Sequence, residues 1–255
     1  MNLFARLLKK SREISTFDFK FHLPMSNTLR SFIILILSSL SFISASAQHN
    51  NLFVGLRYGA VLPMGEFASH EFGYGGYALL GKSIGAEAAY FITPKLGFGV
   101  DISSDILGMA AVYYADDYKL SEPSFSDVQM LSGPYKLSTY MGGAYYKVTL
   151  SPKLHSTIKL MGGLFKGRTP DQLFGVNSDM AGKIYFWKTA SNASRFSFLT
   201  GASFEYNLFD HVSLLLKADF TYAQLAFKYS NGSSGYTDHL NMPVFRLQPG
   251  INIIF

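Results

Sequence analysis

Oily and polar residues alternate with a period of two along much of the chain between Gln48 and Phe255. The last segment is the clearest. Phe245, Leu247, Pro249, Ile251, Ile253 and Phe255 fall on one side of an extended backbone, with Arg246, Gln248, Gly250 and Asn252 on the other. Successive side chains of a strand point to opposite faces, so this segment has one oily face and one polar or tiny face. Leu52–Leu62 repeats the split, with Leu52, Val54, Leu56, Tyr58 and Ala60 opposite Phe53, Gly55, Arg57 and Gly59. Phe198–Tyr206 and Val212–Tyr222 show it too, while Ile84–Phe91, Leu96–Asp105, Tyr140–Leu150 and Thr157–Phe165 follow it more loosely. The pattern predicts eight strands and an all-β protein.

The connectors alternate as well. Thr93-Pro94-Lys95, Ser151-Pro152-Lys153 and Phe209-Asp210-His211 predict tight turns. Between them run longer polar links over 63–77, 107–139, 166–195 and 223–242, rich in Gly, Ser, Asn and Tyr. Three short turns and four long loops suit an eight-stranded antiparallel transmembrane β-barrel with short periplasmic turns and long outer loops. A secreted lipocalin-like barrel has the same strand count but turns its oily faces inward. Two features favour the membrane form. Tyr58, Tyr90, Tyr146, Tyr206 and Tyr222 lie on the oily faces near strand ends, as interfacial girdles do, and the opposite faces are rich in glycine and small residues, which suits a narrow interior.

The amino terminus changes what belongs to that barrel. Residues 31–46 form an apolar, uncharged block after Arg30, followed by Ala45-Ser46-Ala47 and then Gln48. Basic flank, short apolar core and small-residue exit are the parts of a signal peptide, and the block is too short to span a bilayer comfortably. The expected organisation is therefore a spurious or extended leader over 1–24, a signal peptide over 25–47 cleaved between Ala47 and Gln48, and a barrel domain over 48–255. Of 22 Lys and Arg, six precede Gln48, as do two of 17 acidic residues, so the barrel domain keeps 16 basic and 15 acidic residues. No basic stripe remains to suggest nucleic-acid binding. With no cysteine, disulfides, zinc–thiolate sites and a lipoprotein anchor are excluded.

The inward faces carry charge of both signs: Arg57, Lys147, Lys159, Lys217 and Arg246 against Glu87, Asp101, Glu205 and Asp219. Counting from the turns gathers them near mid-membrane, and strand order pairs Arg57 with Glu87, Asp101 with Lys147, Lys159 with Glu205, and Asp219 with Arg246. A lone charge there is costly, whereas interleaved charges satisfy one another. Eight strands leave an interior just wide enough for side chains, so a filled, salt-bridged lumen is expected.

Arg57-Tyr58-Gly59-Ala60-Val61-Leu62-Pro63-Met64-Gly65-Glu66-Phe67, followed by Gly73-Tyr74-Gly75, resembles the opening hairpin of the outer-membrane β-barrel family, which includes OmpA/OmpX-like and PorT-like barrels of Gram-negative cells. The resemblance covers the whole region after the leader. It implies residence in outer-membrane lipid, and an assembly signal in Phe255, Ile253 and Ile251 read by the barrel-assembly machinery. It also implies a non-enzymatic structural or surface-interaction role, with outer loops contacting surface polysaccharide or an envelope protein. An accessory part in a secretion or assembly complex, a small-solute channel and a lipid A-modifying enzyme are its alternatives. No peptidoglycan-binding domain follows Phe255, so no cell-wall anchoring is expected.

Candidate chemistry is sparse. His49, His70, His155, His211 and His239 have no metal-ligand spacing, so neither metal nor cofactor is expected. His155 and Ser156 are strand neighbours and point apart, which prevents proton sharing. His239 beside Asp238, with Ser233 and Ser234, is the remaining catalytic arrangement, and a solvated loop is the expected reading. Asp116 and Asp117 offer too few oxygens for calcium. Gly73–Gly76 precedes no helix and reads as loop. The aromatics Tyr113, Tyr114, Tyr135, Tyr185, Phe186, Trp187, Tyr229 and Tyr236 crowd the long loops, where they either anchor a partner or pack above the membrane.

Overall fold

A computed structural model describes residues 51–122, 124–178, 182–230 and 235–255. The leader, the Ala47–Gln48 junction, Ser233 and Ser234 lie outside these residues.

Eight strands form a closed antiparallel barrel: β1 (Leu52–Pro63), β2 (Ala78–Phe91), β3 (Leu96–Met109), β5 (Tyr135–Thr149), β6 (Leu154–Arg168), β9 (Asn192–Phe209), β10 (Val212–Tyr222) and β13 (Val244–Ile254). Their order around the wall is β1-β13-β10-β9-β6-β5-β3-β2. The first and last strands pair along their length, from Phe53 opposite Ile254 to Pro63 opposite Val244. That seam removes both sheet edges, which is the condition for a sheet to stand in lipid.

The faces divide as the alternation predicts, and they divide in the membrane sense. Leu56, Ile84, Val100, Ile158, Leu160, Phe204, Leu216 and Ile251 are exposed on the outer wall, while Asp101, Asp105, Lys217 and Arg246 are almost wholly inside. An oily exterior around a charged interior is the inverse of a soluble barrel. Tyr90, Phe98, Tyr146 and Tyr206 ring the exterior near the short turns.

The three tight turns lie where expected. At the first, the Thr93 hydroxyl accepts the Leu96 backbone N–H at 2.9 Å; at the second, the Ser151 hydroxyl accepts that of Leu154 at 3.1 Å. The long links differ from their expected form, because they are largely folded. The first carries a short helix α1 (Gly65–Ala68). The second carries α2 (Ala111–Ser121) and β4 (Phe125–Ser132), and the third β7 (Gln172–Ser178) and β8 (Gly182–Lys188). The fourth is a hairpin of β11 (Gln224–Ser230) and β12 (Gly235–Asn241). β4, β7 and β8 form a second sheet in that order. These strands have seven or eight residues and interleave with Gly, Asn and Ser, so their alternation is drowned by turn-like composition until they pair. β5, β6 and β9 also run past the expected strand limits, to Tyr135, Arg168 and Asn192.

Tyr77, at the entry to β2, has φ of 52°, a conformation that a bulky side chain adopts only when its surroundings demand it. Its ring is wholly buried, its hydroxyl donates to Asp117 Oδ2 at 2.6 Å, and its carbonyl accepts the Ala110 N–H at 2.8 Å.

Candidate functional site

The feature that sets this barrel's chemistry is the charge cluster across its middle. Asp101 on β3 is the hub. Its Oδ1 accepts from Arg57 Nη2 on β1, and its Oδ2 accepts from Lys159 Nζ on β6 and from Lys217 Nζ on β10, the last at 2.8 Å. Glu87 on β2 takes Lys217 through Oε2, with Arg57 Nη1 at 3.6 Å and the Tyr145 hydroxyl donating at 3.2 Å. Asp219 on β10 lies 3.1 Å from Lys159 and 3.4 Å from Lys217. One layer further out, Arg246 donates to both oxygens of Asp105, at 3.1, 3.0 and 2.6 Å, and to Thr221 at 2.8 Å. Gln248 ties the two layers. It accepts from Arg57 Nε and donates to Ser83 Oγ, both at 2.9 Å, and Ser83 in turn donates to Asp105.

Small residues make room for the cluster. A Cβ on Gly201 would stand 2.0 Å from Asp219 Oδ1 and 2.9 Å from Lys159 Cε, and one on Gly85 would stand 2.8 Å from the Arg57 guanidinium. A void between Glu87, Tyr145, Lys159, Glu205 and Lys217 holds about 10 Å³, at the threshold for one water. Apolar residues pack against the cluster from both ends, and the buried polar side chains of Ser213 and Asn252 also lie on the short-turn side. Below lie Phe53, Phe91 and Tyr145, with ring centroids 6.1 and 5.9 Å apart. Above lie Val61, Leu107, Leu137 and Phe165, under Phe67, Leu225 and Met242 from the outer loops.

Arg57, Glu87, Asp101, Lys159, Lys217, Asp219 and Arg246 thus meet in one network; the expected Arg57–Glu87 pair is in it at 3.6 Å, and the other three expected pairs are replaced. Lys147 does not join it. It is half-buried near the short turns, its ammonium 5.4 Å from the Phe91 ring centroid. Register puts Met141, not Lys147, opposite Asp101. Glu205 does not pair with Lys159. Its Oε1 accepts from Thr157 at 3.0 Å and Ser203 at 2.9 Å. Asp219 and Arg246 are opposite one another in register, yet the guanidinium reaches Asp105 on β3 instead. For Lys147 the cause is its height near the turns; for the cations within the network it is the narrow lumen. Lys and Arg are long enough to cross it, so the best partner is the one opposite and not the one next door. Asp105 was missed, although the alternation through Leu96–Asp105 puts it on the face of Asp101.

The other candidates disperse. His239 and Asp238 are exposed strand neighbours on β12, pointing apart. Asp117 is engaged by Tyr77, and His70 stacks between Tyr77 and Tyr113 at 5.4 and 4.9 Å. Among the described residues, no group of three or more His, Cys, Asp or Glu could hold a metal ion.

Eight strands closed without an edge, an oily aromatic-ringed exterior and a charged interior define an integral transmembrane β-barrel of the outer-membrane type. No family model and no curated protein sequence matches the chain. Among solved structures it is similar to Neisserial surface protein A, at 16% identity and a TM-score of 0.44 over 80% of this chain and 97% of that one. It is also similar to Ail, the attachment invasion locus protein of Yersinia pestis, at 12% identity and 0.42 over 80% and 99%. Outer membrane protein AlkL is similar at 10% identity and 0.47 over 83% and 93%.

Proposed function

We propose that the protein is a non-enzymatic outer-membrane barrel that conducts nothing through its lumen and works through its outer loops. The observation carrying this reading is the buried charge cluster. With its charged groups almost wholly buried and apolar residues packed against it from both ends, the lumen gives a solute little room, so the exposed loops are the part left to act. Their folded state supports the second half. The β4–β7–β8 sheet and the β11–β12 hairpin hold Tyr185, Trp187 and Tyr236 outward on paired strands, where exposed aromatics suit an interface. Trp187, 69% exposed, is the foremost anchor.

The partner in this reading is surface polysaccharide or another envelope protein. Export through the leader over 25–47, with cleavage between Ala47 and Gln48, belongs to it. So does insertion by the barrel-assembly machinery through Ile251, Ile253 and Phe255, the first two of which face outward on the closing seam. The test is crosslinking in intact envelopes followed by purification, comparing the unaltered chain with Trp187→Ala and Tyr185→Ala. A polysaccharide or protein adduct that both substitutions diminish is expected. Adducts that do not change with either would refute contact through β8.

A further inference from the structure

Three outward cations meet on one patch of the barrel wall, where the oily band stops. β5, β6 and β9 are neighbours, and register aligns Tyr140 with Leu164 and Leu164 with Phe196, all exposed on the outer wall. Two residues further from the short turns, the row becomes Ser138, Lys166 and Ser194. Two further still, it is Lys136, Arg168 and Asn192. The wall therefore changes within a few residues from apolar to cationic on β5 and β6 and to neutral polar on β9.

The height of that change can be placed. Outward positions on β6 run from Leu154 to Leu164, and ten residues at about 3.3 Å rise, tilted about 40°, span about 25 Å. This matches the apolar band of outer-membrane barrels. Lys166, Lys136 and Arg168 consequently stand in the headgroup layer of the outer leaflet. Lys166 Nζ lies 5.3 Å from the centroid of the Tyr140 ring, holding the ammonium at the aromatic boundary.

The short side chains between the cations leave a cleft of about 430 Å³, and no acidic residue lines it. Arg168 shares its charge with exposed Asp171 at 3.2 Å, a pair weakened by solvent. Lys82, the outward lysine on β2, has Ala60 and Ile106 as its strand neighbours and gathers no such group.

We propose that this cleft binds the phosphorylated headgroup of an outer-leaflet glycolipid. Lys136, Lys166 and Arg168 donate to phosphate oxygens, and Ser138, Ser194 and Asn192 suit sugar hydroxyls. Tyr140, Leu164 and Phe196 continue directly below as a wall for acyl chains, which selects a lipid over free phosphate. The inference rests on the barrel's place in the membrane and not on what the loops contact.

The full protein, folded in phosphatidylcholine nanodiscs with bis-phosphorylated lipid A, is stripped by detergent exchange and its retained lipid counted by native mass spectrometry. The unaltered chain is expected to keep about one lipid A. The triple variant Lys136→Gln, Lys166→Gln, Arg168→Gln should lose about tenfold or more in retention, and Lys183→Gln on β8 should lose none. Lys166→Gln alone should lose part of it, and heat-modifiable migration on a gel verifies that each variant is folded. Equal retention by folded wild type and Lys166→Gln or triple variant overturns the proposal. So does equal retention of dephosphorylated lipid A, or full displacement of the lipid by an equal concentration of inorganic phosphate.

Discussion

Asp101 faces three cations, and that makes it the residue on which the lumen turns. A buried charge is tolerated when it is paired, and removing one partner leaves the others unsatisfied in a medium that solvates them poorly. Asp101→Ala leaves Arg57, Lys159 and Lys217 with only Glu87 and Asp219 to share among three cations, and should cost about 3–5 kcal/mol in urea unfolding from lipid vesicles. Glu205→Ala should cost far less, because Glu205 is held by the neutral donors Thr157 and Ser203 and no cation depends on it. Equal losses from the two substitutions would mean that the hub is misplaced. Which residues are inward was legible from alternation alone, since parity is a local property. Which carboxylate each cation chooses was not, because that choice depends on side-chain reach across the lumen.

The outer strands and helices are a separate layer with its own weakness. Burial pushes the Tyr114 and Tyr229 hydroxyls up to about 12, and raises Tyr77 as well, whose hydroxyl donates a hydrogen bond to Asp117. A folded-state value above the unfolded value near 10 means that the neutral ring is what the folded layer stabilises. That contribution is complete below about pH 10 and is lost as pH climbs toward 12. Tyrosinate absorbance should therefore show a late phase above pH 11 from these residues, with the loop layer loosening while the barrel still migrates as folded. A single tyrosine transition near pH 10 would contradict their burial. These elements escaped the sequence pattern because each is short. β7 and β8 become strands by pairing, Gln172 opposite Lys188 through Ser178 opposite Gly182.

The closed barrel makes two claims that can be measured on the intact protein. Leu216, outward on β10 between Phe204 and Pro249, faces lipid near mid-membrane. Leu216→Arg should destabilise the barrel in vesicles by about 2–4 kcal/mol, the penalty for a cation on the lipid face at that depth. A negligible effect would point to a solvated exterior. The second claim concerns conduction. With the charge cluster packed between Phe53, Phe91 and Tyr145 on one side and the loop-covered apolar layer on the other, planar bilayers should record no steady open channel. A stable ion-selective conductance in the unaltered protein would overturn the closed lumen.

Period-two alternation and the alternating lengths of connectors were enough to specify eight antiparallel strands, their faces and the positions of the tight turns. These are consequences of local backbone geometry, in which each residue's side is set by its neighbours. The partners of Lys147, Glu205 and Arg246 belong to another class of fact. Lys147 sits six residues nearer the turns than Met141, the residue opposite Asp101, and Arg246 passes its register neighbour Asp219 for Asp105. The cationic patch of Lys136, Lys166 and Arg168 is of the same kind, since it exists only once β5 and β6 are in register. Distances across a lumen and coincidences between strands arise when the sheet closes, and only the closed sheet decides them.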